Sequence, residues 1–165
     1  MSPLAAIFLF LHVAGAIIAF GPTFAFPILG RVASRDPRFG PAVITANVAI
    51  EKGMVIPVGL FQAVTGIGLI ITLGINPFDS AFHWLLAGIV LYIAAFTIVF
   101  TIVYPSGEKL LHMVQTAPAG PPPAGAPAGP PPAMLALIKR QQQTGIVLAV
   151  LLIVIIYLMT IKPSL

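Results

Sequence analysis

Four stretches of this chain are apolar for long enough to cross a lipid bilayer: Pro3–Leu29, Gly53–Ile75, Phe82–Tyr104 and Thr144–Ile161. A crossing takes about 20 apolar helical residues, and each run is too long for a buried strand. Little chain remains from which to build a water-facing surface. Charged residues are only 7% of the 165 and hydrophobic residues 59%, where a soluble domain has roughly 25% charged. Inside a bilayer an isolated segment satisfies its backbone hydrogen bonds only as a helix. The expected fold is therefore all-α: a polytopic membrane protein, a four-transmembrane-helix bundle with a long Pro-rich loop between helices 3 and 4.

The helices are expected over about residues 3–29, 43–75, 82–104 and 134–161, within a single membrane domain covering 1–165. The first run reads as a retained helix, because the twelve residues from Met1 to His12 lack the Lys or Arg of a signal-peptide start. The second helical pattern spans ~50 Å at 1.5 Å per residue, more than a bilayer is thick. Its early part, around Asn47, Glu51 and Lys52, then protrudes or lies at the interface. Asp36-Pro37 and Gly40-Pro41 read as turns, and Pro105 as a break before an amphipathic extension of helix 3, SGEKLLHMVQT.

Orientation follows from the basic residues. Arg31, Arg35, Arg38 and Lys52 follow helix 1, and Lys109, Lys139 and Arg140 follow helix 3, so seven of the eight Lys and Arg share one side. The positive-inside rule places that side in the cytoplasm and both termini outside, across a bacterial inner membrane. This arrangement accounts for the net charge of +4 without a nucleic-acid partner. Trp84, Tyr104 and Tyr157 fall near helix ends, where aromatic belts form. Cysteine is absent, which excludes disulfides, thiolate-held metals and a cysteine nucleophile.

The linker at 117–133 repeats the octapeptide APAGPPPA at 117–124 and 126–133. Proline-rich chain of this kind is extended and polyproline-like. Without basic or aromatic residues beside the prolines, it reads as a spacer lengthened by duplication, in preference to a ligand for a proline-recognition domain.

Polar residues inside spans carry the functional question. His12 shares its helix face with Gly15, Ala16 and Ala19, which turns it toward neighbouring helices. Gly59, Gln62, Ala63, Thr65 and Gly66 form a small, polar face on helix 2. His12 lies ~13 Å and Thr65 ~15 Å from the same membrane face at 1.5 Å per residue, and Tyr92 reaches a similar depth. A buried polar cluster of His12, Gln62, Thr65 and Tyr92 is expected. His12 is the candidate cofactor residue, with haem b the cofactor weighed. Its competing reading is an inter-helix hydrogen bond. His83 sits ~12 Å away along the membrane normal on the same scale, so one iron cannot join both rings. Glu51 and Lys52 read as an interfacial charged pair, or as a coupling carboxylate with its counter-ion. No phosphate loop, HExxH, paired membrane aspartates or GxSxG is present, and no catalytic or metal site is expected.

The order of FLHVAGAIIAFGP, IPVGLFQAVTGIGLIITLG, HWLLAGIVLYIAAFTIV and the closing IIYLMTIKP resembles the bacterial predicted integral membrane proteins of domain of unknown function 2269. The most specific pieces are Pro57–Gly66, Trp84 and Met159–Pro163. The resemblance implies a four-helix membrane fold and brings no activity. The LHV opening is also similar to copper-resistance and haem-dependent protoporphyrinogen oxidase membrane families. The five methionines, however, do not cluster as a copper-handling face would require. The reading is an accessory or oligomeric subunit of a membrane assembly, with an enzyme disfavoured but left open, whose partners are lipid, other membrane subunits or its own copies. Its alternatives are a haem- or quinone-linked redox protein using His12, and a small-solute channel or transporter formed by a dimer.

Overall fold

The computed structural model describes residues 1–117 and 129–163. Among these are four long helices and no strand: α1 Pro3–Arg35, α2 Pro37–Leu73, α3 Ser80–Gln115 and α4 Pro132–Ile161. Each is long and apolar enough to cross a membrane. Most of the repeat in the Pro-rich linker, residues 118–128, lies outside the described residues.

Local chemistry sets the helix ends. Ser2 caps α1 by accepting from the Ala5 N–H at 3.2 Å, with Pro3 at the first helical position. The helix continues past Leu29 to Arg35, because nothing between them breaks it. It stops at Asp36, which the following Pro37 pushes into the extended region at φ −134°. The Asp36 carboxylate then accepts from the Arg38 N–H at 3.1 Å and pairs with its guanidinium at 2.7 Å. That pairing holds the half-buried carboxyl below its ordinary range, so the contact is complete above that range and is lost as acid protonates Asp36. Gly40-Pro41 makes no second turn. Gly40 is helical at φ −50°, and Pro41 sits in a first turn, where no N–H partner is required. At the far end Gly74 takes φ 63° and closes α2, with the Ile75 N–H reaching Ile70 O at 3.0 Å.

α2 and α3 each pass through a proline without breaking, by the same device. A π-helical turn covers Glu51–Val55 just before Pro57, and another covers Val99–Val103 just before Pro105. The Ile56 N–H bonds back to Glu51 O, and the Tyr104 N–H to Val99 O. Proline removes a donor and crowds the carbonyl four residues earlier. A wider turn ahead of it takes up the misfit and lets the helix resume. The expected break at Pro105 is therefore a bulge, and α3 runs on to Gln115.

The bundle is held by close approaches at small residues. α1 packs along Ile56–Leu73 of α2, α4 packs along His83–Ile98 of α3, and Gly40–Ile50 packs on Tyr104–Gln115. Gly15 receives Gln62, Gly68 receives Phe8, Gly59 receives Phe96 and Gly88 receives Met159. Lys162 lies over the Trp84 ring at 5.5 Å from its centre, so the end of α4 is tied to the start of α3. Large apolar side chains such as Phe10, Ile17, Val64, Ile71 and Ile153 face outward, as lipid-facing positions do.

Candidate functional site

Among the described residues, two polar groups lie inside the bundle, one in the half nearer the termini and one nearer the basic loops. The first is built across α1 and α2. His12 Nδ1 lies 3.0 Å from Thr65 Oγ1. Thr65 is fully buried, and its hydroxyl donates to the carbonyls of Gln62 at 3.1 Å and Phe61 at 3.2 Å. The imidazole and the hydroxyl thus share a hydrogen bond across the two helices, its donor set by the imidazole tautomer. Gly66 makes the approach possible, since a Cβ on it would lie 3.1 Å from His12 Cε1. Gln62 is also buried and presses on Gly15, with no hydrogen-bond partner for Oε1.

Tyr92 belongs to a neighbouring contact. Its hydroxyl donates to Gly59 O at 2.7 Å, and its ring stacks on Phe96 with centroids 4.9 Å apart. The expected common face on α2 is thus divided. Gln62, Thr65 and Gly66 meet α1, while Gly59 meets α3.

The second group surrounds Glu51. This side chain is 6% exposed, and its Oε1 makes no hydrogen bond. Glu51 and Lys52 do not pair. Lys52 binds Glu108 of α3 at 3.0 Å and lies over the Tyr104 ring at 5.8 Å from its centre. Consecutive helical residues point about 100° apart, so Lys52 faces the rim while Glu51 faces the interior. Gly107 opens the space: a Cβ there would lie 3.3 Å from both Glu51 Oε2 and Gln141 Nε2. Gln141 donates to Val103 O at 3.1 Å, fastening α4 to the π turn of α3.

Glu51 opens onto an internal cavity of ≈ 60 Å³ that all four helices line. Thr23 of α1, Tyr92 of α3 and Glu51 supply its polar edge, and aliphatic and Phe side chains the rest. At ~30 Å³ per water it has room for about two. It is far smaller than a porphyrin, and His12 does not line it. Among the described residues no group of three metal-ligating side chains comes together.

Sequence reasoning missed the inward turn of Glu51 and the Lys52–Glu108 pair. A signal for the pair exists, because SGEKLL places Glu108 on a helix that continues α3 beside the basic-loop half of α2.

Bundle, apolar surface and span lengths together define a four-helix polytopic integral membrane protein. The chain belongs to the family of predicted integral membrane proteins known as domain of unknown function 2269, whose model matches residues 6–163. No curated protein and no solved structure matches it.

Proposed function

We propose that the chain works by association, as an accessory or oligomeric subunit of a membrane assembly, and not as an enzyme or a redox carrier. The observation that carries this reading is the use of the polar groups nearest the termini. His12 and Thr65 hold each other, and Tyr92 holds a backbone carbonyl. These groups stiffen the bundle and leave no open constellation for chemistry. In lipid, such polar contacts and close-packed small residues are what hold helices together. The outward faces remain apolar along their length and meet either lipid or another helix.

We place both basic loops in the cytoplasm of a bacterial inner membrane and both termini outside, on the strength of the Lys and Arg distribution.

The test is gentle purification in detergent, with a visible absorption spectrum and the mass by light scattering. A colourless protein of more than one 17.3 kDa chain, or one arriving with a stoichiometric membrane partner, is the expected result. A Soret band that disappears in His12→Ala would instead make the protein a redox component.

A further inference from the structure

The cavity between the four helices lies beside the carboxyl group of Glu51, whose Oε1 has no hydrogen-bond partner among the described residues. Glu51 is more than nine-tenths buried, lines the cavity, and has an Oε1 without a hydrogen-bond partner. Two features of the backbone keep it there. The π turn begins at Glu51 itself, and Gly107 on α3 clears the space that Oε2 occupies.

The surroundings decide what such a group can bind. On its own helix the neighbouring cation, Lys52, is bound to Glu108. From α3 come the Tyr92 hydroxyl, which donates to Gly59 O, and the Glu108 carboxylate, which adds negative charge. From α4 come Gln141, whose amide donates to Val103 O, and apolar side chains such as Leu152. From α1 come Thr23 and Phe20. None of these elements directs a cation at Glu51. A bare carboxylate enclosed by apolar walls and a second carboxylate is the costly state, and a carboxyl that keeps its proton is the state the site accommodates. A hard metal cation would take six or more oxygen ligands, and these walls are mainly hydrocarbon.

We propose that Glu51 is a proton-binding site set inside the bundle at the edge of this cavity, loaded from and emptied to the basic-loop end. The step is a simple exchange. An O–H bond forms at the Glu51 carboxylate, the proton comes from water at the basic-loop interface, and the reverse step returns it. This site is independent of the association reading above, since a subunit that assembles and one that does not can both carry it.

Dicyclohexylcarbodiimide tests the proposal on the wild-type chain. The reagent is apolar and modifies carboxyls that hold a proton in apolar surroundings. The protein in lipid nanodiscs is treated with it over a pH series, and the adduct is located by peptide mass mapping. The expected adduct is on Glu51 at about neutral pH, and not on Asp36, Asp79 or Glu108. It should fall about tenfold per pH unit once the site deprotonates, as a single titrating group must. Glu51→Gln, close to isosteric, should keep its helical circular dichroism and lose the adduct. No adduct on Glu51 even in mild acid, or an adduct on Glu108 alone, would overturn the assignment. So would suppression of the Glu51 adduct by sodium chloride at fixed pH, which would make the ligand a metal cation. Because the mapping is done on the wild-type chain, it decides the matter even if Glu51→Gln fails to fold.

Discussion

At the scale of single residues, the bundle depends on a few contacts that tolerate little change. The His12–Thr65 bond crosses between helices inside the apolar layer. Such bonds contribute about 0.6 kcal/mol and up to ~2. His12→Ala and Thr65→Val should each lower thermal stability in detergent by about that amount. The double variant should lose less than the sum, because either change removes the same bond. Gly59→Ala should cost more, ~1–3 kcal/mol from overpacking, since the new Cβ would lie 2.5 Å from Phe96 Cζ. Thermal unfolding of the four variants in one detergent checks both expectations. The first contact is legible in the sequence, because rise per residue alone brings His12 and Thr65 level. The environment of Glu51 is not. Its direction depends on the π turn that starts there and on a glycine more than fifty residues away, and no single-helix pattern carries either.

At the scale of elements, the two π turns explain why spans that look interrupted are continuous. Pro57 and Pro105 announce weakened helices, and from sequence a weakened helix and a broken one read alike. The structure separates them through the bonds from Ile56 to Glu51 and from Tyr104 to Val99, each reaching five residues back. The extra residue in each turn sets the rotation of the basic-loop half of the helix against the rest. Inserting one alanine after Met54, on top of the extra residue the turn already absorbs, would rotate one half by about 100° relative to the other. Val48 and Glu51 would then no longer face Gly107. The expected outcome is loss of monodisperse protein in size-exclusion chromatography. Pro57→Ala, which leaves the number of residues unchanged, should still give a folded peak. An insertion variant that elutes and melts like the wild type would show that the π turn does not set this register.

At the scale of the whole molecule, the remaining question is which way the bundle faces. Seven of the eight Lys and Arg lie at one end, and the rule that such residues stay in the cytoplasm acts most strongly on loops close to the spans. Arg31, Arg35 and Arg38 lie at the junction of α1 and α2, and Lys109 lies in the last turns of α3. The opposite end carries Lys162, drawn over the Trp84 ring where an aromatic side chain anchors the start of α3. The chain has no cysteine, so a single introduced thiol reports its own side without a background to remove. Ser34 and Ser80 are exposed and lie at opposite ends of the bundle. Ser80→Cys should react with a membrane-impermeant maleimide on intact cells, because an outward loop needs no permeabilisation. On the proposed orientation Ser34→Cys should react only once the membrane is opened, since the positive-inside rule keeps an arginine-rich loop in the cytoplasm. The reverse pattern would invert the proposed orientation, and would turn the Glu51 end of the bundle toward the outer face.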